Sequence, residues 1–115
     1  MFKIKKKLLF VCSGGIDRSP TAESLFKDNL KFEARFYGLY PLTESSPLTR
    51  ESLRWADLIF VMEHKHKSDI LERFPVIVKD KLEIIVLNIP NNYIRHDPEL
   101  EKLLRVKLAE FLCKK

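Results

Sequence analysis

An apolar strand that runs directly into a glycine turn and a helix start is the feature that most restricts the fold of this chain. Residues 8–11, Leu-Leu-Phe-Val, form a continuous apolar run of strand length, and the Ser-Gly-Gly at residues 13–15 cannot easily continue it. Ser19 followed by Pro20 is typical of a helix N-terminus, with serine as the N-cap and proline at the first helical position. The sequence therefore predicts a buried strand, a tight loop and a helix whose apolar face comprises Ala22, Leu25, Phe26 and Leu30.

Strand and helix patterns alternate along the rest of the chain. Further strands are predicted at residues 32–37, 57–62 and 82–87, and further helices at residues 49–55 and 63–74 and from Asp97-Pro98 onwards. Such alternation is typical of a parallel sheet covered by helices on both faces, so we expect a four-stranded, flavodoxin-like three-layer sandwich. Residues 32–37 alternate only loosely and should form an edge strand. Functional sites in this architecture lie at the carboxyl ends of the strands.

Composition and cysteine usage favour one small intracellular domain. The 115 residues, 45% of them hydrophobic, suffice for one domain spanning residues 1–115. The apolar runs are much shorter than the roughly 18 residues of a membrane span, so no membrane association is expected. Cys12 and Cys113 lie at opposite ends of the chain, which favours a reducing cytoplasm over a disulfide framework. The net charge of +5 suits anionic ligands, but no aromatic and basic motif supports nucleic-acid binding.

The loop after the first strand carries the chemistry. Cys12 and Arg18 are six positions apart, between a buried strand and a helix N-terminus. The backbone N–H groups of such a loop and the positive end of the helix can form an anion cradle. That positive field favours a Cys12 thiolate, to which Ser19 could donate a hydrogen bond, and the planar fork of Arg18 can bind two phosphate oxygens. The predicted phosphate-binding residues of this loop are Ser13, Gly14, Gly15, Ile16, Asp17 and Ser19.

The pattern Cys-(x5)-Arg-Ser-Pro after a Leu-Phe-Val strand closely resembles the signature of the low-molecular-weight protein tyrosine phosphatases. Residues 21–26 and 55–63, together with His66, resemble the first helix, the third strand and the following turn of that family. The Asp-Pro-Glu-Leu at residues 97–100 is shared with a shorter bacterial branch of predicted tyrosine phosphatases.

This resemblance implies the fold of the low-molecular-weight phosphatases and a cysteine-dependent protein tyrosine phosphatase activity. The expected reaction is hydrolysis of a phosphomonoester through a phosphocysteine on Cys12, with no cofactor. The expected substrates are phosphorylated proteins or small phosphomonoesters, and phosphate or vanadate should inhibit by occupying the Cys12 loop. Specificity should come from rim residues such as Leu39, Tyr40, Tyr93 and Ile94.

The chain departs from the family in three places. Family members typically have asparagine at the position of Gly15 and often a second cysteine at that of Asp17. Asp17 would repel phosphate, so we expect its side chain to point outward or to pair with a lysine. The family's acid is an aspartate in an Asp-Pro-Tyr loop, where this chain has Asn91 and Asn92. Asp97 preserves the Asp-Pro pair and is the candidate general acid, but the same pair is equally typical of a helix N-cap.

Two other functions fit parts of the pattern. A catalytically weak or inactive phosphate- or phosphoprotein-binding module of the same fold is favoured by the amides Asn91 and Asn92. A phosphocysteine carrier like the sugar-transport IIB components would also place a cysteine after the first strand, but those proteins generally lack an arginine six residues later. His64, His66 and His96 are expected to be exposed polar residues, and no metal site is predicted.

Overall fold

The computed structural model describes residues 5–14, 17–40, 47–75 and 83–112. The predictions that concern Gly15, Ile16, Leu82 and Cys113 lie outside these ranges. The strands of the described part are β1 (Lys6–Cys12), β2 (Phe32–Gly38), β3 (Leu58–Val61) and β4 (Ile84–Val86). The helices of the same part are α1 (Arg18–Ser24), α2 (Arg50–Trp55), α3 (His64–Arg73) and α4 (Pro98–Leu112).

The sheet is parallel, with the strand order β2, β1, β3, β4. β1 is paired along both of its edges, with Cys12 opposite Gly38 of β2 and Val11 opposite Val61 of β3. The predicted four-stranded parallel sheet is therefore confirmed, and so is the position of the strand at residues 32–37 on its edge. Because parallel neighbours end together, the carboxyl end of β1 opens between two other strand ends.

Helices cover both faces of the sheet. On one face Leu8 and Phe10 of β1 pack in a cluster with Ala22 of α1 and with Leu100 and Leu104 of α4. On the other face Leu9 and Val11 pack with Leu53 of α2 and Ile70 of α3. Successive residues of a strand point to opposite faces, so an uninterrupted apolar run supplies both cores. The predicted three-layer sandwich is confirmed.

The first helix differs from its prediction at both ends. α1 begins at Arg18 with Asp17 as the N-cap residue, because the hydroxyl of Ser19 contacts Cys12 instead of capping the helix. The helix ends at Ser24, and the turn that follows contains Asp28 in the left-handed region, with φ of 61°. Leu30 lies beyond this turn and is 83% exposed, so it does not belong to the apolar face of α1.

The helices of the other face begin with side-chain caps. The hydroxyl of Thr49 accepts a hydrogen bond from the backbone N–H of Ser52 at 3.2 Å at the start of α2. At the start of α3, Glu63 and His66 form a reciprocal capping box. In the described ranges, no helix combines the length and the apolar character needed to cross a bilayer.

The stability of the core between the sheet and the helices α1 and α4 should depend strongly on Phe10. Its ring is fully buried and stacks on Phe26 and Phe60, at centroid distances of 5.8 and 5.4 Å. Replacement Phe10→Ala should lower the free energy of unfolding by about 3–5 kcal/mol, because it removes the ring and leaves a cavity. The control Val106→Ala, on the exposed side of α4, should change it by less than about 0.5 kcal/mol. Urea denaturation measures both, and equal effects of the two substitutions would contradict this packing.

Candidate active site

A cavity of about 310 Å³ lies where β1 ends and α1 begins. This is the carboxyl edge of the parallel sheet, where the fold predicts a site. The structure therefore brings Cys12 and Arg18 to one cavity, together with Asn91 from the segment after β4. The described residues that line it are Cys12, Ser13, Gly14, Asp17, Arg18, Tyr40 and Asn91.

The thiol of Cys12 is 2% exposed and lies 3.1 Å from the hydroxyl of Ser19. Ser19 belongs to the first turn of α1, so the hydroxyl is held by the helix. A serine hydroxyl is a donor as well as an acceptor and can therefore donate to a cysteine thiolate. This contact agrees with the role that the sequence predicts for Ser19.

The guanidinium of Arg18 is buried and bound by two acceptors. Nη1 donates to Oε2 of Glu63 at 2.5 Å and to the backbone carbonyl of Ile89 at 2.8 Å. Partial burial raises the pKa of Glu63, but the hydrogen bond from Arg18 and its positive charge outweigh this and hold the pKa below its usual value. Glu63 is thus a carboxylate at neutral pH, and it orients Arg18 from the side of α3.

His66 lies behind the start of the loop. Its Nε2 is 2.8 Å from the hydroxyl oxygen of Ser13, and its Nδ1 accepts the backbone N–H of Glu63 at 3.1 Å. Since Nδ1 accepts a hydrogen bond, the proton of the neutral ring is on Nε2, which donates to Ser13. Burial, aided by the charge of Arg18, lowers the pKa of His66 to about 4, so the ring is neutral near pH 7.

The expectation that all three histidines are exposed is wrong for His66, which is fully buried, whereas His64 and His96 are exposed. The physical reason is the capping box, which turns the His66 ring inward beneath the loop. The spacing Glu63-x-x-His66 just before an apolar helix face is the sequence signal that could have indicated this arrangement.

Asp17 is among the residues that line the cavity, and its side chain is bonded to a backbone N–H, an arrangement that the prediction of an outward or lysine-paired side chain did not include. Its Oδ1 accepts a hydrogen bond from the backbone N–H of Arg95 at 3.0 Å. The next residue, His96, donates its backbone N–H to the hydroxyl of Thr21 at 2.8 Å. These two bonds attach the segment before α4 to the first turns of α1.

Asp97 occupies the N-cap position of α4. Its Oδ1 accepts the backbone N–H of Glu99 at 2.9 Å, and its carbonyl accepts that of Glu101 at 3.0 Å. Asp97 is not among the described residues that line the cavity, whereas Asn91 is. Of the two alternatives for Asp97, its position favours the helix cap and argues against the candidate role of general acid.

Tyr40 forms part of the rim, as the sequence predicts. Its hydroxyl donates a hydrogen bond to Asp69, which raises the pKa of the tyrosine, and the guanidinium of Arg73 lies 4.6 Å from the ring centroid. Leu39 and Tyr93 do not belong to the rim. Leu39 is buried in the core between the sheet and α3, and Tyr93 packs against the opposite core.

A second groove of the described residues has a different lining. A groove of about 570 Å³ between α1, β2 and α4 is lined mainly by apolar side chains such as Leu25, Phe26 and Phe32. It contains neither Cys12 nor Arg18. No group of three or more His, Cys, Asp or Glu side chains in the described ranges could hold a metal ion.

Comparison with known proteins places these features in a family, although no family model matches the chain. The protein-arginine-phosphatase of Bacillus subtilis strain 168 is 32% identical over an alignment of 93 residues, and the match covers 58% of this chain and 62% of that protein. The chain thus spans less than two thirds of this relative's length.

Solved structures align over nearly the whole chain. A low-molecular-weight protein tyrosine phosphatase from Bacillus subtilis is 30% identical, with 95% of this chain and 98% of that chain covered and a TM-score of 0.69. A cysteine-to-serine variant of the YwlE arginine phosphatase, with a phosphorylated active-site serine, is 28% identical, with coverages of 95% and 97% and a TM-score of 0.70. The same four-stranded fold, nearly full coverage and 30% identity with a solved member show that this chain belongs to the low-molecular-weight protein tyrosine phosphatase family.

Proposed function

We propose that this chain is a phosphatase that hydrolyses phosphorylated side chains or small phosphomonoesters through a phosphocysteine on Cys12. The observation that carries the proposal is that Cys12 and Arg18 line one cavity at the junction of β1 and α1. The names of relatives at 28–32% identity, all phosphatases, support it. Residues 1–115 as one catalytic domain and the cytoplasmic location stay predictions from the sequence.

In the proposed first step, the thiolate of Cys12 attacks phosphorus in line with the leaving group. A sulfur–phosphorus bond forms while the bond from phosphorus to the leaving oxygen or nitrogen breaks. The hydroxyl of Ser19, 3.1 Å from Sγ, stabilises the thiolate before the attack and after its release. The phosphorylated active-site serine in the YwlE variant supports transfer of the phosphoryl group to this position of the loop.

Arg18 would bind the equatorial oxygens of the phosphoryl group together with the N–H groups of the loop. Its contacts with Glu63 and Ile89 both use Nη1, so that within the described ranges the N–H groups of Nη2 and Nε could bind phosphate. In the second step water attacks phosphorus, the sulfur–phosphorus bond breaks, and phosphate leaves with the thiolate regenerated.

The nucleophile and the clamp can be tested with p-nitrophenyl phosphate. Cys12→Ser and Arg18→Ala should each abolish turnover, because the first removes the thiolate and the second removes the oxygen ligand. Arg18→Lys is the matched control for charge and should also be severely impaired, since lysine lacks the planar fork. Circular dichroism should show that all variants remain folded.

Turnover and phosphate binding, measured together, distinguish an enzyme from a phosphate-binding module. A wild-type protein that binds phosphate or vanadate, measured by calorimetry, but does not turn over substrate would be a phosphate-binding module. A folded Cys12→Ser variant that keeps the wild-type rate would refute the role of Cys12.

The leaving group presents the main chemical question. In the described part of the cavity the only carboxyl group is that of Asp17, and an amide, Asn91, occupies the wall from the segment after β4. An amide cannot donate and recover a proton. We therefore propose that protonation of the leaving group depends on solvent and that substrates with good leaving groups react fastest.

Two substitutions test this proposal. Asp97→Asn should leave kcat and the melting temperature nearly unchanged, because asparagine caps a helix about as well as aspartate. Asn91→Asp should raise the rate on an alkyl or tyrosyl phosphate by part of the about 10²–10⁴-fold that general acid catalysis contributes. Its effect on p-nitrophenyl phosphate should be smaller, since that leaving group needs the proton less. A large loss for Asp97→Asn, without a gain for Asn91→Asp, would instead place the acid on Asp97.

Phosphoarginine is the second candidate substrate beside the phosphotyrosine that the family resemblance suggests. Relatives at 32% and 28% identity are named arginine phosphatases. In the cavity, the carboxylate of Asp17 can attract the guanidinium of a phosphoarginine side chain. A phosphotyrosine substrate would bring only negative charge close to Asp17.

Asp17→Asn distinguishes the two substrates with little change in structure, because the amide oxygen can still accept the Arg95 N–H. If phosphoarginine is the substrate, the variant should lose kcat/KM on a phosphoarginine peptide and gain on the matched phosphotyrosine peptide. The loss should be about tenfold, the size of one partly screened charge contact of roughly 1.4 kcal/mol. A gain on both peptides would mean that Asp17 acts only by repelling phosphate, and would favour phosphotyrosine.

A further inference from the structure

The first turn of α3 contacts both ends of the phosphate loop. His66 contacts Ser13, the residue directly after Cys12, and Glu63 contacts Arg18 at the other end of the loop. Both contacts link residues that are 45 or more positions apart in the chain. Glu63 and His66 are in turn joined to each other by the capping box, so the two supports form one unit.

The hydrogen bonds of His66 define which atoms carry protons. The backbone N–H of Glu63 donates to Nδ1, so Nε2 is the protonated nitrogen and donates to the Ser13 hydroxyl oxygen. Ser13 is therefore the acceptor in this bond, and its own hydroxyl proton remains to be donated elsewhere. If Ser13 donated to His66 instead, both ring nitrogens would be acceptors, which a neutral imidazole does not allow.

The surroundings of His66 and Ser13 agree with a hydrogen bond donated from His66 to Ser13. The His66 ring is fully buried and, with a pKa near 4, is uncharged over the physiological pH range. Ser13 is only partly buried and lines the cavity beside Cys12. The hydroxyl oxygen is thus held by α3, and the residue that carries it lines the cavity.

We propose that His66 is a positioning residue of the active site, which holds the Ser13 hydroxyl as a hydrogen-bond donor to the anion in the cavity. This inference rests on the proposed phosphatase function. The acceptor would be an oxygen of the bound substrate phosphate and then of the phosphocysteine. The bond adds a side-chain donor to the backbone N–H groups of the loop, at a place where charge develops during transfer.

The test uses Ser13→Ala, His66→Ala, the double variant and His66→Gln, with p-nitrophenyl phosphate as substrate. Ser13→Ala and His66→Ala should each lower kcat/KM by about ten- to hundredfold, the effect of one hydrogen bond to a charged group. The double variant should be no worse than the poorer single variant, because both remove the same interaction. His66→Gln should recover most of the rate, since the glutamine amide can place an N–H near Nε2.

A merely structural role for His66 gives a different pattern. The losses of the two single variants would then multiply in the double variant, or Ser13→Ala would keep the wild-type rate, and either result would overturn the proposal. If His66→Ala does not fold, Ser13→Ala and His66→Gln still test the proposal. It requires that Ser13→Ala loses activity and that His66→Gln keeps most of it.

Failure of the proposed function would be recognised separately. If the wild-type protein does not turn over substrate, calorimetry with inorganic phosphate replaces the rate assay. Ser13→Ala and His66→Ala should then weaken phosphate binding to the same extent, and the double variant no further. Unchanged phosphate affinity in Ser13→Ala would refute the positioning role even for a protein that only binds phosphate.

Discussion

The pairing of β1 on both of its edges is the constraint on which the rest of the structure depends. β1 is hydrogen-bonded to β2 and β3, and its apolar residues are buried on both faces of the sheet. Its last residue, Cys12, is therefore placed by a strand that is paired along both edges and buried on both faces. A side chain at this position needs few further contacts to hold it in place. The loop that follows leaves the sheet and needs contacts from other elements.

That support comes from the helix on the other face of the sheet. The loop after β1 leads into α1, yet the side chains that hold Ser13 and Arg18 belong to the start of α3. Because Arg18 is paired with Glu63 and Asp17 also faces the cavity, the positive net charge of the chain is not concentrated at this site. Attraction of a phosphate group would thus depend on directed N–H groups and on the α1 terminus more than on net charge.

The features that can be predicted from the sequence are those that depend on the pattern of neighbouring residues. The apolar run of β1, the glycine turn and the spacing of Cys12 and Arg18 are sufficient for the fold and for the centre of the site, because each depends on neighbouring residues. The contact of His66 with Ser13 and that of Asp17 with Arg95 join residues that are 53 and 78 positions apart, which no local pattern reveals. Asp97 shows the converse problem, since one dipeptide fits both a helix cap and an acid, and its place outside the described lining of the cavity favours the cap.

The segment before α4 is attached to α1 through its own backbone, and this determines which positions can vary. The N–H groups of Arg95 and His96 are the donors, while the side chains that accept them belong to Asp17 and Thr21. Almost any residue has a backbone N–H, so this attachment does not depend on the side chains at positions 95 and 96. His96 has φ of 65°, a conformation that glycine or asparagine adopts more easily. The attachment of this segment to α1 can therefore be kept when a side chain at position 95 or 96 is substituted, and the cavity wall then stays in place.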